Sequence, residues 1–141
     1  MRVTFGSSKQ IFGDFACFID PKFVVDLSTV EFAAKKAFKN WENGRRISKS
    51  LAVEILLYFA ATRQIEIAKK LTAKEKAVVV VIDEDEFSKI DFKEQEFVPE
   101  YNLREVMNLY EITEEELEIV GIKKLPLLIR ERIALFSLLG E

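Results

Sequence analysis

The chain has 141 residues, 49% of them apolar, which is enough for a single domain, residues 1–141, with its own hydrophobic core. Its 21 basic and 24 acidic residues give a net charge of −3, so the protein is not strongly basic as a whole. The single cysteine, Cys17, excludes an internal disulfide and a multi-cysteine zinc site, and the absence of histidine removes the commonest general base. Catalysis would have to use Asp, Glu, Lys or Tyr.

The hydropathy pattern bears on the location of the protein. No run of about 18 apolar residues is present, so no helix is expected to span a membrane. The first ten residues, MRVTFGSSKQ, lack the apolar core of a signal peptide. We therefore expect a cytoplasmic protein. Separately, we expect Cys17 to be a small buried core residue and not a reactive thiol.

The N-terminal region predicts short strands. Residues 2–5 have a strand pattern, and residues 6–8 (Gly-Ser-Ser) are expected to form a turn. Aromatic and β-branched residues predict further strands over residues 12–19 and 23–25, broken at Asp20-Pro21.

Two long helices are predicted next. Ser28 with Glu31 forms a capping-box pattern that opens a helix over residues 29–42, and Gly44 is its expected stop. Residues 47–60 are apolar nearly all round a second helix, which indicates a central core helix or one shared with a partner.

The remaining elements complete an α+β pattern. Thr62 is the expected N-cap of a short helix over residues 65–71. Residues 77–82 (AVVVVI) form a continuous apolar run, typical of a strand buried on both faces in the middle of a sheet. Residues 84–98 fit either a strand or a short helix, and further helices are predicted over residues 103–110, 114–119 and 125–139. We predict one compact domain in which a mixed or antiparallel sheet around residues 77–82 is covered by about six helices.

Charge is distributed unevenly along the chain. Residues 35–76 contain eleven basic and four acidic residues, whereas residues 83–118 contain three basic and fourteen acidic residues. This asymmetry suggests a basic surface for an anionic partner, with ordinary solvated helix faces as the alternative.

The polar ends of the helix over residues 47–60 supply the candidate binding residues. Cationic and amide side chains flank this helix next to two expected helix N-termini, where backbone N–H groups would favour a phosphate. The candidates are Arg45, Arg46, Lys49, Arg63 and Gln64. The spacing of a Walker A loop is absent, so nucleotide binding by that route is not expected. The alternative is that these side chains only cap helices or pair with neighbours.

Four consecutive acidic residues, 83–86, follow the predicted central strand. Their carboxylates could supply oxygen ligands for Mg²⁺ or Ca²⁺, or a general base. No glycine supports a calcium loop and no second carboxylate motif is present. We therefore predict a solvated strand exit and no metal site.

The C-terminal helix has more apolar surface than one buried face needs. One set of side chains is expected to cover the sheet: Leu128, Ile129, Ile133, Phe136 and Leu139. A second strip contains Ala134 and the candidates for contact with a partner protein, Leu127, Leu135 and Leu138. The alternative is that both strips pack in the core.

The central motifs resemble a known family. Gly44-Arg45, the stretch LAVEILLY and Arg63-Gln64-Ile65 follow one another as in the small kinase-binding subunit of the KEOPS complex, the TPRKB-type subunit. The similarity is closest to archaeal members. It extends to IDPKFVVDLSTVEFAAKKAF before these motifs and to EVMNLY and LPLLIRERIALF after them.

This resemblance implies a subunit with no catalytic activity and no cofactor, a monomer within a hetero-oligomeric complex. It would bind the kinase-like ATPase subunit of KEOPS and hold the single-stranded 3′ CCA end of tRNA, in support of threonylcarbamoyl-adenosine modification. The five polar candidates would then contact RNA, and the three leucines would contact the kinase. The alternatives are a purely regulatory adaptor that binds the kinase without touching RNA, and a small enzyme that uses the carboxylates of residues 83–86.

Overall fold

One four-stranded antiparallel sheet lies at the centre of the computed structural model, which describes residues 1–11 and 13–139. Its strands, in spatial order β2-β3-β1-β4, are β1 (Arg2–Ser7), β2 (Ala16–Ile19), β3 (Lys76–Val81) and β4 (Lys93–Glu94). Strand β3 pairs with β1 on one side and with β2 on the other. The prediction of a central strand at residues 77–82 is therefore confirmed.

Seven α-helices lie in the part of the chain that the structure describes. They are α1 (Leu27–Glu42), α2 (Leu51–Ala60), α3 (Ile65–Lys69), α4 (Glu84–Phe87), α5 (Leu103–Tyr110), α6 (Glu114–Val120) and α7 (Leu125–Leu139). The α+β prediction is confirmed, with seven helices in place of about six. No helix among these residues is long and apolar enough to cross a membrane.

The apolar run of β3 is buried on both faces of the sheet. Val78 and Val80 belong to the main core, formed with α1, α2 and α7, whereas Ala77, Val79 and Val81 belong to a smaller cluster on the opposite face. Because side chains alternate along a strand, a strand covered on both faces needs apolar residues at every position.

Two predicted elements near the N-terminus are wrong. Residues 23–25 do not form a strand, because the Asp20 side chain accepts the Lys22 N–H (3.0 Å) and begins a 3-10 turn at Pro21–Phe23. Strand β1 does not turn at Gly6 but continues through Ser7. A Cβ at Gly6 would lie 2.1 Å from the Lys93 carbonyl oxygen, so glycine allows β4 to approach at this point.

The boundaries of β2 and α1 also differ from the prediction. Strand β2 begins only at Ala16, and Phe12, the predicted first residue, lies outside the described residues. Helix α1 is capped by Asp26 and not by Ser28, since the Asp26 carboxylate accepts the Thr29 N–H at 2.8 Å.

Helix α2 begins at Leu51, four residues later than predicted, because a buried carboxylate holds the preceding segment out of the helix. Glu54 is fully buried and accepts the backbone N–H groups of Ile47 (2.9 Å) and Ser48 (2.8 Å) and the Ser48 hydroxyl (2.9 Å). Ser50 is the N-cap. Residues 43–50, which we call the basic loop, are thus fixed against α2.

Helix α7 has the predicted boundaries but packs mainly against α1 and α2, not over the sheet. Leu128, Ile129 and Ile133 are buried in the main core, and Phe136 packs edge-on against Tyr58 with ring centroids 5.2 Å apart. Leu139 is 80% exposed, so its predicted place on the covered face is wrong. It lies one turn beyond the last packed residue.

The buried Glu54 carboxylate generates a stability prediction. Replacement by glutamine places an NH₂ donor where two oxygens now accept N–H and O–H groups, which leaves buried donors unsatisfied. We expect Glu54→Gln to lower the free energy of unfolding by about 2 kcal/mol, measured by urea denaturation. The exposed Glu66→Gln on α3 is the matched control and should change it by less than about 0.5 kcal/mol. Equal stability of the two variants would contradict this role for Glu54.

Burial also determines the reactivity of the only cysteine. Cys17 is 3% exposed, and burial raises the pKa of its thiol to about 12. Because the thiolate is the reactive form, we expect negligible reaction with a thiol reagent such as Ellman's reagent at pH 8 and rapid reaction after unfolding in guanidinium. Rapid modification of the native protein would show that the thiol is accessible.

Candidate functional site

The Arg45 side chain is anchored to the end of α1 by a buried amide. Asn40 is 5% exposed, and its Oδ1 accepts a hydrogen bond from Arg45 Nη2 at 2.8 Å. The same amide donates through Nδ2 to the Tyr58 hydroxyl (2.7 Å) and to the Ser137 carbonyl oxygen (3.4 Å). One side chain thus joins α1, α2, α7 and the basic loop.

Arg46 and Lys49 are exposed on the basic loop. The Arg46 guanidinium lies over the Trp41 ring, 4.0 Å from its centroid, and its Nε donates to the Trp41 carbonyl oxygen at 3.2 Å. These contacts hold the guanidinium against the end of α1. Lys49 directly precedes the N-cap Ser50, at the N-terminus of α2.

Arg63 and Gln64 are exposed at the opposite end of α2. Thr62 is not the N-cap of α3 as predicted: Gln64 occupies that position, and the Thr62 hydroxyl accepts the Gln64 N–H at 3.1 Å. The Gln64 side chain makes no capping bond. Its amide is therefore not committed to the local backbone.

The five polar candidates do not form a single cluster. Lys49 and Arg63 lie at opposite ends of α2, which has ten residues and is about 15 Å long. The expected anion site at exposed helix N-termini also needs correction, because the Ser50 side chain caps α2 at Val53 N (3.4 Å) and α3 has only five residues. The candidates therefore form two separate polar groups, one at each end of α2, and residues 54–60 of that helix are buried between them.

The three leucine candidates share the outer side of α7. Leu127, Leu135 and Leu138 are 57%, 50% and 68% exposed, and their spacing places them within roughly 80° of the helix circumference. We call these three residues the outer strip. The alternative that both apolar sides of α7 pack in the core does not hold in this structure.

A cavity of about 370 Å³ lies between the C-terminal ends of α2 and α5 and the side of α7. Its lining includes Gln64 and Leu135, one from each set of candidates, together with Ala61, Glu111 and Arg132. We call it the helix-end cavity. It lies where the basic segment of the chain meets the acidic segment.

The sequence did not single out Ala61 and Glu111 as lining residues. Both have left-handed backbone conformations, with φ of 52° and 54°, at the C-caps of α2 and α5. Such positions usually contain glycine, so no sequence signal marked these two helix ends.

Hydrogen bonds fix the wall of the helix-end cavity. The buried Tyr110 hydroxyl donates to the Phe59 carbonyl oxygen, and burial raises its pKa well above the usual range. Arg132 Nη2 donates to both Glu116 carboxylate oxygens (2.8 and 2.9 Å), and its Nε donates to the Tyr110 carbonyl oxygen (3.1 Å). The ends of α2, α5 and α7 are therefore tied together.

The acidic residues 83–86 form the cap and first turn of α4. The Asp83 carboxylate accepts the Glu86 N–H at 3.2 Å, Glu84 pairs with Arg2 at 2.7 Å, and Glu86 pairs with Lys89 at 2.9 Å. Hydrogen bonds from Arg2 lower the Glu84 pKa. Among the residues described, no group of three or more acidic or cysteine side chains is arranged to hold a metal ion.

Comparison with known proteins places this fold in a family. The family model described as kinase binding protein CGI-121 matches residues 7–136, which include helices α1 to α6 and α7 as far as Phe136. The curated proteins contain no match to the chain. A match over this range shows that the chain belongs to the CGI-121 family of kinase-binding proteins.

Proposed function

We propose that this protein is a non-catalytic subunit that binds a protein kinase through the outer strip of α7. The observation that supports this choice of surface is the exposure of Leu127, Leu135 and Leu138 on a helix whose opposite side is buried. Apolar side chains grouped on an ordered surface are typical of protein interfaces. Membership of the CGI-121 family supports a kinase as the partner.

The partner that we propose is the kinase-like ATPase of the KEOPS complex. This assignment is supported by the resemblance of three motifs, Gly44-Arg45, residues 51–58 and Arg63-Gln64-Ile65, to the KEOPS subunit. The protein would act in the cytoplasm as a monomer within the assembled complex, and it would support threonylcarbamoyl-adenosine modification by binding and not by chemistry.

We further propose that the two polar groups at the ends of α2 bind the single-stranded 3′ CCA end of tRNA. Exposed Arg46, Lys49 and Arg63 would neutralise phosphates, and the Gln64 amide would hydrogen-bond to base edges. The guanidinium of Arg46, held over the Trp41 ring, is an ordered cation beside which an unpaired base can stack. Cationic groups that are separated by the length of α2 suit an extended strand better than they suit a single phosphate.

A regulatory adaptor without RNA contact is the second candidate. The contact between Arg45 and Asn40 favours it, because this pairing gives one of the five polar candidates a structural role. The two candidates differ in whether the protein has affinity for tRNA.

Kinase binding tests the outer strip. Leu135→Arg places a charge in the proposed apolar contact, so we expect loss of copurification with the KEOPS kinase, with the far-ultraviolet circular dichroism spectrum unchanged. Val98→Arg is the matched control, because Val98 is 60% exposed and belongs to the segment after β4, not to α7. This control should retain binding. Retention by both variants would rule out this side of α7 as the contact.

Transfer-RNA binding tests the two polar groups at the ends of α2. We expect wild-type protein to bind tRNA more weakly at higher salt and to lose binding when the 3′ CCA is removed. The double variant Arg46→Glu with Arg63→Glu should abolish binding, measured by fluorescence anisotropy, with a melting temperature within about 4 °C of wild type.

The matched control reverses the charge of two exposed cations in the C-terminal part of the chain, Arg104→Glu with Lys123→Glu. It should retain affinity for tRNA. Unchanged binding by the Arg46/Arg63 variant would refute this RNA surface. Equal affinity for tRNA with and without CCA would refute end recognition, and no binding at all would leave the adaptor function.

A further inference from the structure

We infer that the outer side of α1 binds the phosphate backbone of an RNA duplex, the stem from which the 3′ CCA end of tRNA extends. The inference rests on the proposed RNA-binding function and assigns a surface to a second part of the same RNA. One end of the proposed CCA contact is the basic loop, and α1 leads directly into that loop. RNA that continues beyond the CCA end would therefore meet α1.

Two lysines, Lys36 and Lys39, lie on this outer side of α1. Their spacing, together with that of Phe32, places the three side chains within roughly 60° of the helix circumference. We call these three residues the lysine side. The opposite side of α1 is fully buried in the main core and contains Val30, Ala33, Ala34 and Ala37. Packing of α1 in the core thus fixes the backbone from which both lysines project.

No carboxylate neutralises these two lysines. Lys39 is exposed and Lys36 is half-buried, and neither makes an ion pair with any residue that the structure describes. Lys35 differs, because its ammonium group pairs with Glu31 at 2.9 Å. The Lys36 ammonium lies over the Phe32 ring, 5.4 Å from its centroid, a contact that positions the cation and leaves its charge in place.

The positive charge of the lysine side continues into the basic loop. Residues 35–49 contain six basic residues and one acidic residue, Glu42. Two further carboxylates are close to this segment: Glu31, and Asp14, which accepts the Ser50 hydroxyl at 3.0 Å. Because six cations face three carboxylates, this part of the molecule attracts a polyanion.

The shape and composition of the lysine side favour a duplex over a single strand. Its aromatic residue, Phe32, has Lys36 over its ring, and the exposed Phe38 is about 100° from Lys39 around the helix. Proteins bind single strands by stacking bases on aromatic rings as well as by charge, whereas a duplex keeps its bases inside and presents phosphates. A convex helix with cations and no open ring therefore suits a duplex backbone.

An acidic surface on a partner protein would match the same charge. RNA is favoured because the lysine side adjoins the basic loop, which is part of the proposed RNA contact, whereas the proposed kinase contact is the outer strip of α7. The experiment below separates the two occupants.

The test compares the affinity of the full-length protein for two RNAs by fluorescence anisotropy. One is a single-stranded oligonucleotide that ends in CCA, and the other is a hairpin whose stem carries the same CCA end. Wild-type protein should bind the hairpin more tightly. Lys36→Gln with Lys39→Gln removes both charges and keeps good helix formers. We expect this double variant to bind the hairpin about tenfold more weakly, with a salt slope shallower by about 2.

The controls separate a duplex contact from a general loss of charge. The Lys36/Lys39 variant should change affinity for the single-stranded oligonucleotide less than twofold. Arg104→Gln with Lys123→Gln removes two exposed charges outside the lysine side and should change hairpin affinity less than twofold. Thermal melting checks that both double variants are folded.

Four outcomes would count against the inference. Unchanged hairpin affinity of the Lys36/Lys39 variant would overturn it while leaving CCA recognition intact. Equal weakening for the hairpin and the oligonucleotide would assign the lysine side to the single strand. Weaker kinase binding by this variant, with RNA affinity unchanged, would assign the lysine side to a protein. Wild-type protein that binds neither RNA would overturn the proposed RNA-binding function itself.

Discussion

The arrangement of this molecule depends on the hydrogen bonds that the Glu54 carboxylate accepts. This carboxylate is fully buried, and the donors that stabilise it are backbone and hydroxyl groups of Ile47 and Ser48, not a cation. The bonds keep the basic loop out of helix α2 and fix its path beside that helix. The positions of Arg46 and Lys49 follow from that path. The part of the proposed RNA contact that lies on this loop is thereby held by hydrogen bonds to the core.

The sequence predicted most accurately those elements that had one strong pattern and no competing local signal. The continuous apolar run at residues 77–82 predicted a buried strand. The predicted boundaries of α7, Leu125–Leu139, are those observed. Errors arose where local side chains competed. Asp26 and Ser28 are both good caps, and only the structure shows that Asp26 is the one used. Near Pro21, side-chain hydrogen bonding of Asp20 overrides the strand preference of the following aromatic and β-branched residues.

The candidate site was predictable as a set of residue types but not as an arrangement. Charge and exposure identified Arg46, Lys49 and Arg63, yet residue spacing could not show that α2 separates Lys49 from Arg63. The helix-end cavity combines parts of the chain that are distant in sequence, so no local pattern could predict it. The helix ends at Ala61 and Glu111 lack the usual glycine, so they gave no sequence signal for this cavity. The family match identifies the kind of partner, whereas these surfaces rest on the structure.

The buried Asn40 amide links the two proposed binding surfaces mechanically. It bonds to the Ser137 carbonyl oxygen in the last turns of α7 and to the Arg45 guanidinium of the basic loop. A partner that displaces the end of α7 must stretch or exchange the first bond, and the orientation of the amide then alters the second. If a partner of α7 changed the affinity of the basic loop for RNA in this way, thermodynamic linkage requires that RNA change the affinity of α7 for its partner by the same factor. The two ligands would in that case regulate each other through a single side chain.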